Sequence, residues 1–513
     1  MNQFLENEKI MRREGYILSA IEKHCLNGDT FVSEEKLFDI CKREKNNLNY
    51  EVFAADLAEL FRLKLLYQEN HRIYLTQIWR YEDKAASALS RILRLPPLQE
   101  AVLPDSLEVK GTLLCSEQRE AVQMALSHRL SMIMGGAGSG KSTLIRALFM
   151  CAGVSILETV VCAPTGKAAR NLTYRTGLTA RTVHSALGLR PHDDFLSPVK
   201  WSLIKLVIVD EASMMTLEML AGILSRVSND CIVVLVGDSH QLLSVGAGNV
   251  LHDLQALNFP AYILRQNHRQ GPDADALISN VTLFSKLNSY YDLKLDKSMA
   301  VLEMDEQDVQ DYLVKEACIR YQRGESIQVL SPYNSKGPLS AAALNVRIRD
   351  IVNPLKKTKL FVRVGNRIFV NGDRVLITQN DRDHNVSNGD VGILCIHRMK
   401  GKQLTFSIKL PDGRNPMWDE DSAWGTIHSL QLGYVLTVHK SQGSEYDTIL
   451  MPATMSMVSM LYRNLLYTAI SRARFTVRIF GSIQAIDHAM QHCQSPRQSV
   501  LVEKTMALLH IPA

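Results

Sequence analysis

Hydrophobic positions along this chain follow two rhythms. Through Ile10 to Ile21, Leu37 to Cys41 and Phe53 to Leu63 they recur at helical spacing, which predicts helices that bury one face. Leu65-Leu66-Tyr67 and Ile73-Tyr74-Leu75 then flank a polar Asn70-His71 turn, the pattern of a two-stranded hairpin. Helices followed by a hairpin make residues 1–94 a helical module of winged-helix type, with a plain helical bundle as the alternative. A Pro-containing link, residues 95–110, ends it.

From about Gly111 the rhythm changes to short, continuous apolar runs. Ser131–Met134, Thr159–Ala163, Leu206–Val209 and Ile232–Val236 are rich in β-formers and end in polar or Gly-containing turns. Strands apolar on both sides belong in a parallel sheet covered by helices. The pattern resumes at Ile327–Leu330, Gly433–Leu436, Thr448–Met451 and Val477–Phe480, so the fold class is α/β with two such units. The first covers 111–270. The second covers 271–357 and 431–482, and a helical tail follows over 483–513. Between the two halves of the second unit, Asn371-Gly372, Asn388-Gly389, Lys400-Gly401 and Asp412-Gly413 punctuate short alternating runs. Asn-Gly and Asp-Gly accept the positive φ of tight hairpin turns, so 358–430 reads as a small antiparallel barrel.

The bulk numbers narrow the class. With 513 residues the chain exceeds one ordinary core and suggests three or four domains. Hydrophobic residues at 46% and charged residues at 22% fit a soluble globular protein, and a net charge of +5 permits a nucleic-acid partner without arguing for one. Met1 to Ile10 carries charges and no apolar run, so no signal peptide is expected. The most apolar stretches, such as Cys231 to Val236, are too short to span a bilayer, so no membrane partner is expected either. The nine cysteines are scattered and include no CxxC pair, which suits reduced thiols in the cytoplasm. His488, His492 and Cys493 lack a fourth ligand for zinc and read as a solvated helix face.

Chemistry enters with Gly135-Gly136-Ala137-Gly138-Ser139-Gly140-Lys141-Ser142, a GxxxxGK[ST] run between an apolar strand and the helical stretch Leu144 to Met150. Gly136, Gly138, Ser139, Gly140 and the helix start through Thr143 would wrap phosphates with backbone N–H groups. Lys141 would reach the β- and γ-phosphates of ATP, and Ser142 would bind Mg²⁺. Asp210-Glu211 closes the strand Leu206–Val209, where an acid lies beside the phosphate loop of an open sheet. Asp210 can hold Mg²⁺ through water, and Glu211 can deprotonate the attacking water. Gly237 to Gln241 closes the next strand, placing Gln241 near the γ-phosphate.

In this order the motifs resemble the RecD-like branch of the superfamily 1 helicases over about residues 111–482. Ser116-Glu117-Gln118-Arg119 is similar to the segment that reads adenine, with Gln118 as base contact. Ala163 to Ala169 and Thr182-Val183-His184 are similar to strand-gripping motifs. Arg269-Gln270 resembles the motif supplying an arginine from the second motor domain. Val438 to Glu445 resembles the DNA-contacting motif, and Tyr467 to Ala473 the last motif, with Arg472 as arginine finger. The resemblance implies two RecA-like motor domains, an SH3-like barrel insertion, and an ATP- and Mg²⁺-dependent helicase of DNA repair or recombination. Its substrates would be single-stranded DNA and duplex junctions. Thr165, Lys167, His184, Thr437, His439 and Lys440 would hold the strand, and residues 187–200 would stand where the branch places a strand-separating pin. The His439-Lys440-Ser441-Gln442-Gly443 run is the branch's own version and implies 5′ to 3′ movement. RecD-type subunits act with nuclease partners in some cases, so a nuclease or repair subunit docked on the N-terminal module is a further expectation.

Two positions depart from the pattern: Leu243 where the family usually has Pro, and Ser471 where it usually has Thr. The segment with Lys356, Lys357, Lys359, Arg363, Arg367 and Arg374 against Asp373 reads either as a phosphate track or as a solvated barrel edge. A rival function is a nucleotide-switched recruitment subunit without unwinding, against which Glu211, Gln241 and Arg472 argue. A nuclease is disfavoured, because no further carboxylate–lysine constellation occurs outside the motor motifs.

Overall fold

Strands Leu130–Gly135 and Leu206–Val209 are buried at every position. With no solvated side they can sit only inside a covered sheet. The computed structural model describes residues 15–104, 106–190, 193–196, 201–268, 275–356, 360–400 and 403–510. Arg269, Gln270, Lys357, Lys359 and parts of the pin segment lie outside the described residues. The first unit is a six-stranded parallel sheet in the order Ala261–Leu264, Leu130–Gly135, Ile232–Gly237, Leu206–Val209, Thr159–Ala163, Ala180–Thr182. The second is a five-stranded parallel sheet in the order Met299–Glu303, Ala473–Gly481, Tyr446–Ala453, Ile327–Ser331, Val435–Thr437.

Strands that the apolar runs did not mark, Ala180–Thr182, Ala261–Leu264 and Met299–Glu303, lie at sheet edges and are only partly buried. An edge strand keeps polar positions toward solvent, so no continuous run betrays it. The strand expected at Gly433–Leu436 is displaced to Val435–Thr437. Gly433 instead makes the crossing out of the barrel, where a Cβ would stand 2.9 Å from the Val375 carbonyl carbon.

At the N-terminus, helices Gly15–Leu26, Glu34–Glu44 and Tyr50–Arg62 pack on a three-stranded antiparallel sheet ordered Val32–Ser33, Arg72–Leu75, Leu66–Glu69. This is the winged-helix arrangement. Asn70 and His71 take φ of 50° and 62°, as a two-residue turn matching strand twist requires. Ser33 and Asn49 cap the second and third helices by accepting from Lys36 N and Val52 N.

The boundaries drawn from pattern change cut across shared cores. Helix Thr76–Arg94 buries Tyr81, Ala85, Ala86 and Leu89 in the same apolar cluster as Met132 and Leu220 of the first unit. Leu107 and Val109, within the expected linker, pack in the first unit's other cluster. The C-terminal segment divides: Ile483–Gln491 packs Ile486 and Met490 on the second unit, while Leu501 of Leu501–His510 returns to the first. Periodicity tells how wide a helix's buried face is, not what buries it.

The inserted barrel has a five-stranded antiparallel sheet ordered Met417–Trp418, Gln403–Lys409, Val391–Lys400, Arg374–Ile377, Leu430–Leu432, and a hairpin Phe361–Val364 with Arg367–Val370. Buried Asp373 roots it, accepting from Asn353 Nδ2 at 2.7 Å and Val370 N at 2.7 Å. Among the described residues no helix is long and apolar enough to cross a membrane.

Candidate nucleotide cleft and strand groove

Strand Leu130–Gly135 runs into the turn 136–140, and helix Lys141–Cys151 starts on Gly140. Gly138 and Gly140 have φ of 88° and 82°, conformations that a side chain would strain. A Cβ on Gly136 would stand 3.0 Å from Tyr467 Oη, and one on Gly140 would collide with the Gln118 amide. With no side chain at these three positions the turn can close around an anion at the helix N-terminus. Lys141 Nζ donates to Gly135 O at 2.6 Å and Gly136 O at 2.8 Å, which holds the ammonium over the turn.

Between this turn and the second unit lies a cleft of about 380 Å³. Gly138, Ser139, Gly140, Lys141 and Ser142 form one wall, Asp210, Glu211 and Gln241 the floor side, and Arg472 comes from the second unit. Gly136 and Thr143 do not line it. Gln118 sits behind Gly140, buried, with Oε1 accepting from Cys115 N at 3.3 Å. Arg175, His268, Glu445 and Arg474 line the cleft and were not singled out from sequence. Arg175 closes the helix whose start was read as a strand contact. That helix, Gly166–Thr176, therefore carries Thr165 at one end and a cleft residue at the other.

The electrostatics suit phosphate and a hard cation. Burial, and then Glu211 beside it, pushes the Asp210 carboxyl up to about 6, while Lys141 and Arg175 pull the other way. Glu211 takes φ 53° and ψ 42°, a left-handed conformation costing about 1–3 kcal/mol for a residue with a side chain. Met214 N, donating to Glu211 O at 2.9 Å, helps hold it. Gln241 is 3% exposed, and its Nε2 donates to Asp238 Oδ2 at 3.2 Å. Among the described residues its Oε1 has no hydrogen-bond partner. Ser142 and Asp210 offer the oxygen donors that Mg²⁺ takes, with room beside them for phosphate. Arg472 is 4% exposed and donates to Thr468 O at 3.2 Å.

A second cavity, about 820 Å³, also straddles both units. Thr165, Lys167 and His184 line it from the first, and His439, Lys440 and Gln442 from the second. Thr437 does not. It is buried beneath, its Oγ1 accepting from Lys440 N at 3.3 Å, so it shapes the His439–Ser441 turn instead of facing the groove. Partial burial lowers His439 below the usual histidine range, while His184 stays exposed to solvent.

The barrel contributes Asn380, Arg382, Asn388 and Gly389 to this groove, while Lys356, Arg363, Arg367 and Arg374 are not on its wall. Arg367 donates to His428 O and Leu430 O, and Arg374 to Gly433 O, so both tie down main chain. Lys167 Nζ donates to Gly389 O at 3.2 Å, and Arg170 pairs with Asp390, fastening the barrel to the first unit. From the helix after the wing come Gln77, Ile78 and Tyr81. Phe195, within the segment 187–200, packs edge-on against His184 at 5.0 Å and Tyr81 at 6.0 Å.

The two cavities are joined by the chain that follows Gly237. Gln241 faces the cleft, and the next carbonyl, Leu242 O, accepts from Gln442 Nε2 of the groove at 3.3 Å. Leu242 N donates to Thr468 Oγ1 at 2.9 Å and Tyr467 Oη to Asp238 Oδ2 at 2.8 Å, so the second unit's helix Arg463–Ser471 grips this segment directly.

Comparison with known proteins agrees with this arrangement. A family described as an AAA domain matches residues 113–285, and a UvrD-like helicase C-terminal domain matches 432–480. An ATP-dependent RecD-like DNA helicase SH3 domain matches 344–408. The ATP-dependent RecD2 DNA helicase of Deinococcus radiodurans is 34% identical over 461 residues, 88% of this chain. This chain spans 61% of that relative's length. The RecBCD enzyme subunit RecD of Mycolicibacterium smegmatis is 28% identical over 475 residues, covering 82% of this chain and 80% of that one. A solved structure of Pif1 helicases at forked duplex DNA aligns at 20% identity and TM-score 0.46, covering 74% of this chain and 95% of that one. With its two parallel-sheet units and inserted barrel matched in chain order, this protein is similar to the RecD-like DNA helicases.

Proposed function

We propose that the chain hydrolyses ATP to move along single-stranded DNA and separate duplex strands. The observation that carries this reading is the short covalent path from Gln241 in one cavity to the Leu242–Gln442 contact at the other. Both cavities lie between the same two units, so a change in separation at one is felt at the other.

In this reading Lys141 holds the β- and γ-phosphate oxygens, and Gly138, Ser139, Gly140 and Ser142 present N–H groups to them. Glu211 accepts the proton of the attacking water, with the Gln241 Oε1 acceptor orienting that water. Ser142, and Asp210 through water, would hold Mg²⁺, which when bound would supply neutralisation of phosphate charge. Arg472 meets charge that develops in the transition state, and Arg269 is assigned the same task on resemblance alone. Phosphates of the strand are held by Thr165, Lys167, His439 and Lys440, with little sequence preference expected from such contacts.

Movement is assigned 5′ to 3′, supported by the His439 to Gly443 run. The cell compartment is assigned as the cytoplasm. A protein partner is assigned to the N-terminal module, because helix Tyr50–Arg62 shows solvent Glu51, Val52, Ala55 and Ala58, a surface poor in phosphate ligands.

Forked DNA opened by the purified chain tests the whole reading. Substrates with only a 5′ tail or only a 3′ tail test polarity: opening from the 3′ tail alone overturns the direction and leaves the motor. ATP turnover that ignores single-stranded DNA overturns the motor and favours the nucleotide-gated recruitment subunit.

A further inference from the structure

The loop after Gln241, Leu242-Leu243-Ser244-Val245-Gly246-Ala247-Gly248, touches four parts of the molecule. Its start is docked on the second unit through Thr468 and Gln442. Val245 is 65% exposed and lines the strand groove. Ala247 is buried in the apolar core of the N-terminal module, while Gly246 N and Gly248 N donate to Leu26 O at 3.3 Å and Gly28 O at 2.8 Å.

The loop's own sequence gives it little stiffness. Gly246 and Gly248 sit at φ 127° and 100°, the residue type with most backbone freedom to lose.

Arg497 supplies the missing restraint from a distant part of the chain, between helices Ile483–Gln491 and Leu501–His510. Its Nη1 donates to Ser244 Oγ at 2.9 Å, Gly248 O at 2.8 Å and Gly246 O at 3.4 Å, and its Nη2 donates to Ser244 O. A planar guanidinium is suited to spanning several carbonyls of one bent loop at fixed angles. Gly28 packs so closely over this side chain that any Cβ there would collide with it. Gln498 N, next in the chain, donates to Asp29 Oδ1 at 2.7 Å, so the N-terminal module holds Arg497 in place.

The geometry points to Arg497 as a positioning residue for the strand groove: it fixes loop 243–248 in the shape that stands Val245 against the bound strand, and it makes that shape depend on the N-terminal module. This inference rests on the reading of the 820 Å³ cavity as the strand site. It gives the winged-helix module a task that needs no DNA contact of its own. Arg497 is not among the described residues that line the cleft, so its influence falls on strand affinity before turnover.

The test titrates ATP turnover of the full chain with an oligo-dT strand, for wild type, Arg497→Ala, Arg497→Lys and Val245→Ser. Arg497→Ala raises the half-saturating oligonucleotide concentration about fivefold, the low end of couplings between sites, while turnover at saturation stays within about twofold. Arg497→Lys recovers part of the loss, since an ammonium reaches one carbonyl but cannot span the loop. Val245→Ser gives a shift of the same sign, and the double variant Arg497→Ala, Val245→Ser shows less than the sum of the two. If Arg497→Ala fails to fold, Arg497→Lys and Val245→Ser decide: both must shift half-saturation upward. Wild-type half-saturation in the Arg497 variants, or lowered turnover without a shift, overturns the inference and leaves Arg497 an anchor of the tail. A wild-type chain that shows no response to oligo-dT overturns the strand-site reading itself.

Discussion

The nucleotide cleft and the strand groove are built on opposite plans. Lys141, Ser142, Asp210, Glu211 and Gln241 reach the cleft from the ends of three strands that neighbour one another in one sheet. The groove draws its wall from both parallel-sheet units, the barrel, the helix after the wing and the residues Asp193 and Phe195. A phosphate loop works only if N–H groups, a lysine and an acid pair fall within one constrained geometry, so its residue types are specified locally. A strand's phosphates can be met by many donors at many spacings, so assembly specifies the groove. The cleft should therefore fail sharply when one residue changes, and the groove should fail gradually.

The sharpest failure is expected at Lys141. Lys141→Ala should remove ATP turnover while the chain stays folded, because its ammonium donates to the turn's carbonyls and the side chain belongs to none of the apolar clusters among the described residues. Folded variant with wild-type turnover would remove the cleft from consideration. Arg472→Ala should lower turnover by about 10³–10⁵ with little change in ATP affinity, since a finger acts on the transition state. Arg472 also ties down Thr468 O, so Arg472→Lys is the control: it keeps charge but not the planar fork. A defect confined to ATP affinity would make Arg472 an ordinary phosphate contact. Glu211→Gln should cost about 10²–10⁴ in turnover and leave ATP and DNA binding in place, because only proton acceptance is lost. Full activity in that variant would move the base elsewhere.

In the groove the effects should be small and graded. Strand affinity should fall with salt at about 0.7 log units per log unit of salt for each phosphate held, and Lys167→Ala or Arg382→Ala should each flatten that slope by about one phosphate's share. A single groove substitution that abolished strand binding would break the contrast between the two sites. Salt-independent binding would break the assignment of phosphates to this wall.

The same contrast explains what could be read in advance. Interior strands such as Leu206–Val209 are legible residue for residue, since burial on both faces leaves an unbroken apolar run. Edge strands such as Ala180–Thr182 were not, because their exposed positions look like loop. Thr437 and His439 sit two residues apart, yet the first is buried under the turn and the second faces the groove. Such a distinction depends on how the turn packs and has no signature in residue type.

From the order of residues alone came the phosphate loop, the acid pair, two parallel-sheet units and the inserted barrel. Each is dictated within a single segment, by backbone freedom at glycine, by charge at a strand end or by the period of burial. Packing between remote segments settled the rest. It brought Arg175 and Glu445 to one ion pair at 2.8 Å across the cleft, and set the barrel's 380–390 loop on the helix Gly166–Thr176. It also buried helix Thr76–Arg94 against the first unit and carried Arg497 to the loop after Gln241. These contacts join residues up to hundreds of positions apart. No local propensity records them, because the free energy that selects them comes from surfaces that meet only once the chain has folded.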